Sequence, residues 1–232
     1  MKALKFSGIA ILLVAASAYA IDGVVLKYVF KKDDVQKTRI KGKIEAAGVE
    51  VTIEIVSQSK VTNVGEDGTV TAEEKTLEGK YSLNGTDNEL PPSPAITMIT
   101  KANGELKEIK ADDVNEGMYR AHNLMNFIAP TDTVQVGTTW TKEYAANKDT
   151  KAPAYKTTGK ILAEEKVDGT DTFKIEFKNT ESEGTDPATI EGTLWVDKAN
   201  CTLVKSTQKW TAVTMPGAPF PVSGSFTIDR VK

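Results

Sequence analysis

The sequence predicts a mainly β protein, a curved antiparallel sheet or incomplete barrel with one amphipathic helix packed on it. Three observations lead there. Segments rich in β-branched residues recur along the chain, separated by short breaks that carry glycine, asparagine or aspartate. Val49, Val51, Ile53 and Ile55 alternate with Glu50, Thr52 and Glu54, the period of a sheet with one apolar and one wet face. Near residues 113–128, Met118, Ala121, Leu124, Met125 and Ile128 recur at steps of three and four, which makes a single apolar stripe along a helix.

Residues 1–20 open the chain with a basic tip (Lys2, Lys5), an apolar stretch over 6–16 and Ala18-Tyr19-Ala20, the pattern of a cleavable signal peptide. Cleavage is expected after Ala20, which exports the rest to the periplasm or the medium. The apolar run is about a dozen residues against the roughly 20 that a spanning helix needs, so it is read as a signal and not as an anchor. No later segment resembles a transmembrane helix, so no integral membrane segment is expected after cleavage.

Strands are predicted over 24–30, 35–47, 49–61, 69–77 and 79–83, with turns at Glu66-Asp67-Gly68 and Leu83-Asn84-Gly85. Pro91, Pro92 and Pro94 interrupt the pattern as a linker or rim loop. A hairpin follows, 95–101 and 105–110 around Ala102-Asn103-Gly104. The helix is expected to be capped by Asp112 or Asp113 and ended by Pro130, its stripe buried against a sheet face. Further strands are expected over 134–144, 155–167, 172–179, 189–196, 202–214 and 222–231, with a second proline-rich loop over 215–221. This organisation fits one β domain over 21–232, or two β lobes, 21–111 and 130–232, joined by the helix.

Composition narrows the partners. The chain has 29 Lys and Arg against 32 Asp and Glu, a net charge of -3 that becomes -5 once Lys2 and Lys5 leave with the signal. Mild acidity argues against nucleic acid and anionic membrane surfaces, which select concentrated basic faces. The cluster Lys37, Arg39, Lys41 and Lys43 is spaced by two, opposite Thr38, Ile40, Gly42 and Ile44, and reads as a solvated outer strand face. Cys201 is the one cysteine, so no intramolecular disulfide can form and stability must come from a buried core. Asn84-Gly85-Thr86 and Asn200-Cys201-Thr202 match a glycosylation pattern that matters only in a eukaryotic host.

Catalytic patterns are scarce. His122 is the one histidine, which disfavours zinc sites and serine or cysteine triads, and it is read as a residue at the edge of the helix stripe. The pairs Asp33-Asp34, Glu73-Glu74, Asp112-Asp113 and Glu164-Glu165 read as turn, cap and surface charges, because adjacent strand residues point to opposite faces. No cofactor, metal or catalytic residue is expected. The leading expectation is a non-enzymatic protein that binds a lipid or other hydrophobic ligand between sheet and helix, with Met118, Leu124, Met125, Trp140, Trp195 and Trp210 as candidate lining residues. The alternatives are a structural module that recognises an envelope protein through a strand edge or the proline-rich loops, and a two-carboxylate enzyme acting on carbohydrate.

Two stretches carry a resemblance. Ala129-Pro130 through Val134-Gln135-Val136-Gly137-Thr138-Thr139-Trp140 resembles the strand entry of uncharacterised exported bacterial β domains. Gly192-Thr193-Leu194-Trp195-Val196-Asp197 followed by Leu203-Val204-Lys205 is similar to a hairpin of those domains and of the LolA/LolB lipoprotein-carrier superfamily. The resemblance implies an incomplete antiparallel barrel closed on its concave side by helices, and binding of acyl chains or other apolar ligands without catalysis. The one clear helix here departs from the several of that superfamily.

Overall fold

The computed structural model describes residues 23–46, 48–183, 187–215 and 220–231. The expected signal peptide and the centre of the second proline-rich loop lie outside the described residues.

The strands are β1 (Val24–Val25), β2 (Val35–Ala46), β3 (Val49–Val64), β4 (Val70–Leu83), β5 (Thr86–Leu90), β6 (Ile96–Thr100) and β7 (Leu106–Lys110). After the helix α1 (Glu116–Met125) come β8 (Thr133–Val134), β9 (Thr139–Tyr144), β10 (Tyr155–Val167), β11 (Thr170–Glu181), β12 (Thr189–Asp197), β13 (Leu203–Val213) and β14 (Val222–Val231). Strands β1 and β8 form a small ribbon, and the rest form one 12-stranded sheet in the order β7-β6-β4-β3-β2-β14-β13-β12-β11-β10-β9, with β5 beside β4. All pairings are antiparallel, and β14 against β2 joins the first and last parts of the chain.

The sheet curls without closing. Laid flat, strands about 4.8 Å apart would hold the two edges some ~48 Å from one another. Yet Lys142 of edge strand β9 lies 3.5 Å from Glu105, the residue before edge strand β7. The bend has a local cause in a row where aromatics and glycines face each other across the ladder. Trp140 pairs with Gly159, Gly159 with Phe177, and Phe226 with Gly42. A Cβ on Gly159 would sit 2.1 Å from the Trp140 ring, and one on Gly42 would sit 2.3 Å from Phe226. Each ring therefore folds down onto backbone that only glycine leaves open, which lets the strands coil inward.

Helix α1 crosses the inner face, touching β7 on one side and β11 and β12 on the other. It is shorter than the apolar period suggests. Asn115, and not Asp112 or Asp113, is the N-cap, its side chain accepting from the Met118 N–H. The helix stops at Asn126, in extended backbone, so Ile128 is buried from the following loop. Asn179 of β11 fixes that end by donating to the Leu124 carbonyl at 2.7 Å.

The segment that follows β1 bridges two loops. Only Val24 and Val25 of the expected first strand form a ladder; beyond them Tyr28 N–H donates to the Ala102 carbonyl and Val29 N–H to that of Asn200. Tyr28 also gives its hydroxyl proton to the Phe127 carbonyl at 3.1 Å. The core lies beneath the later strands, where Phe173, Ile175, Ile190, Leu194, Val196 and Trp210 are buried with Leu26, Leu124 and Val134.

Other differences are local. The two strands expected over 69–83 are the single β4, which has a register shift opposite Val56 and Ser57. The strand expected over 134–144 is broken at Gly137, whose positive φ of 91° turns the chain between β8 and β9. Strand β5 forms where the sequence suggested only loop, because Asn84 and Gly85 both take positive φ and fold 86–90 back on β4.

Candidate functional site

The inner face is unevenly covered. By register, Ile53 of β3 shares a row with Gly42, Phe226, Gln208, Gly192 and Phe177, so the N-terminal strands present Ile40, Ile44, Val51, Ile53 and Ile55 to the same side as the buried core. These side chains are only half-buried, and beyond them Val49 and Leu83 are 37% and 38% exposed. The alternation read in 49–55 is thus real, but its apolar side is a half-covered shelf at the margin of the core, against which Ile40, Ile44 and Ile53 pack.

The shelf runs toward a cavity of about 740 Å³ between α1 and the strands β3, β4 and β6, as open to solvent as the hollows of the outer face. Ser57 follows Ile55 on β3 and faces Thr76 on β4; Glu74, paired with Ser59 and Ile96, stands next on the same side. The helix contributes Met118 and His122, and the rim carries Lys110, Asp112 and Asp113.

Two ionisable side chains, both part-exposed, stand there without an ion-pair partner among the described residues. Burial pushes the Glu74 carboxyl up from its ordinary range, and burial pushes the His122 imidazole down to about 4, so the histidine is neutral at pH 7. Neither side chain has a hydrogen bond or ion pair among the described residues. In the sequence Glu74 looks like half of a surface pair with Glu73. Its position two and four residues after Ala72 and Val70, both buried, is the signal that assigns it to the inner face, while Glu73 is exposed.

The six candidate lining residues occupy different places. Met118 lines the cavity. Leu124 is 1% exposed in the core, and Met125 packs beside it. Trp140 lies over Gly159, edge-on to Phe127 at 6.2 Å. Trp210 is buried against Phe226, with ring centroids 4.1 Å apart and its indole N–H on Gln208. Trp195 faces outward, donating to Glu165 at 2.8 Å between Lys174 and Lys205.

The outer face is wet. Shallow hollows of about 870 and 630 Å³ adjoin at Thr207 and Gln208, but their sides are threonines and charged residues such as Lys160, Glu176, Lys178 and Glu191. Although the first of these exceeds the inner cavity in volume, it lies over the backbone of a continuous ladder and is bordered by paired charges such as Lys178 and Glu191, 3.2 Å apart. The basic cluster belongs to this face too: Arg39 and Lys41 each lie 3.4 Å from Glu54, and Lys43 lies 3.1 Å from Glu50. Cys201 is buried, and burial pushes its thiol up to about 12, which keeps it protonated. Among the described residues no helix is long and apolar enough to cross a membrane, and no cluster of His, Cys, Asp and Glu is arranged to hold a metal ion.

No family model and no curated protein matches the chain. Among solved structures it is similar to a DUF1329 family protein from Desulfovibrio piger, at 13% identity over 86% of this chain and 85% of that one, with a TM-score of 0.23. A likeness of that size leaves the function to be argued from the shelf and the cavity.

Proposed function

We propose that the protein is exported and, without catalysing a reaction, holds a lipid or similar hydrophobic ligand between α1 and the open part of its curled sheet. The observation that supports this reading is the half-covered shelf of Ile40, Ile44, Val51, Ile53 and Ile55, which lies on the same sheet face as the cavity beneath Met118 and reaches it in register through Ser57. Contiguous apolar surface left open in a folded chain marks a binding site or an interface. An acyl chain that covers on the order of 300 Å² of it gains about 7 kcal/mol before the costs of association. The cavity also lies within the roughly 300–1,000 Å³ range of small-molecule sites. The signal-like N-terminus and the resemblance to uncharacterised exported β domains and to the LolA/LolB superfamily point the same way.

A fluorescent fatty acid titrated into the detergent-free protein tests the reading. Saturable uptake of about one probe per chain, with the emission shift of an apolar environment, is the expected result. Absence of uptake by a protein first stripped of endogenous lipid contradicts it.

A further inference from the structure

Resting on that reading, we propose that the inner cavity is the seat of the ligand's polar end, and that this end is a primary ammonium, as in an ethanolamine headgroup, paired with the Glu74 carboxylate. The acyl chain then lies along the isoleucine shelf.

Charge and hydrogen-bonding capacity both favour that choice. Glu74 is the charge set inward in the cavity by register, and among the described residues it has no ion-pair partner within 4 Å. Two lysines line the edge of the cavity, Lys75 and Lys110; both are exposed, Lys75 alternates with Glu74 along β4, and Lys110 is 3.5 Å from Glu108. Asp112 and Asp113 add negative charge at the mouth. A part-buried carboxylate without a partner gains from a cation that meets it. A primary ammonium brings three donors, and the acceptors around it are Glu74, the hydroxyls of Ser57 and Thr76, and an imidazole nitrogen of His122. A quaternary ammonium brings no donor, and no Phe, Tyr or Trp lines the cavity to stack on it. An anionic headgroup would face the carboxylate directly.

The test compares headgroups at constant acyl length. Lysophosphatidylethanolamine, lysophosphatidylcholine and lysophosphatidylglycerol, each below its micellar concentration, displace the fluorescent fatty acid from the exported chain. The expected result is at least about tenfold tighter binding of the ethanolamine lipid, in line with a charge-assisted hydrogen bond, and loss of most of that preference in Glu74→Gln while choline-lipid binding stays within about threefold. Equal affinity of the wild-type protein for all three overturns the ammonium site and leaves the lipid-binding reading intact. A preference that survives in Glu74→Gln overturns the role of Glu74. Failure to bind any of the three, or the fatty acid, overturns both. The wild-type comparison needs no variant to fold.

Discussion

Arg120 of α1 grips Glu181 of β11 through two parallel hydrogen bonds, Nε to Oε1 and Nη2 to Oε2, each 2.8 Å long. The Glu181 side chain is 2% exposed, and its Oε2 also accepts from the Ala188 N–H at 3.1 Å. The guanidinium thus pins the helix across the inner face and answers a carboxylate that burial would otherwise strand.

Arg120→Met removes that answer while keeping much of the aliphatic stem. We expect a loss of about 3 kcal/mol in denaturant unfolding, the range for breaking a buried ion pair on one side. Removing both charges in Arg120→Met with Glu181→Gln should recover a good part of it, because the uncompensated charge is gone. A single variant as stable as the parent would show that the helix is held mainly by Leu124 and Ala121.

The aromatic-on-glycine contacts predict a second outcome. Gly159→Ala places a methyl where the Trp140 ring lies, so the ring must move or the strands part. Overpacking of this kind costs typically 1–3 kcal/mol, and tryptophan emission should shift because Trp140 leaves its seat against Phe127. Thermal unfolding with fluorescence readout checks both effects together.

Much of this architecture is legible in the chain. The alternation from Val49 to Ile55, the Asn84-Gly85 turn and the period of Met118, Ala121 and Leu124 each rest on short-range stereochemistry, and each yields the element it suggests. What escapes is long-range. Nothing local says that β14 pairs with β2 or that the sheet curls until Lys142 reaches Glu105, so the apolar side of 49–55 cannot be told from a sealed core. Helix ends escape as well, since Asp112, Asp113 and Asn115 are all competent caps and the fold selects Asn115. Trp195 looks like any buried tryptophan in sequence, yet it alternates outward with Leu194 and Val196 turned in.

His122 gives a pH prediction. Its folded-state pKa, about 4, lies below the ordinary 6.5, so the unfolded chain takes up the proton first. The stabilising contribution is therefore complete above pH 6.5 and drains away as pH falls toward 4, by at most about 3 kcal/mol. Glu74 works in the opposite sense, because its raised pKa makes acidification relieve a buried charge. His122→Gln should flatten the stability profile between pH 6.5 and 4. Glu74→Gln should raise the melting temperature at pH 7, with the gain fading in acid. Calorimetric scans across this range would refute the account if both variants tracked the parent.

The shelf predicts a contrast between faces. Ile53→Glu puts a charge in the middle of the half-buried apolar strip and should reduce fatty-acid affinity at least about tenfold, since a buried unpaired carboxylate costs well over 1.4 kcal/mol. Trp195→Ala, on the outer face, should leave uptake within about twofold. Equal effects of the two would place the ligand elsewhere than on the inner face.

The most direct measurement is native mass spectrometry of the protein purified without detergent, followed by extraction and identification of whatever is released. One acyl-bearing molecule per chain is expected, lost in Ile53→Glu and retained in Trp195→Ala. A protein that emerges empty, and stays empty after incubation with lipid, would contradict it.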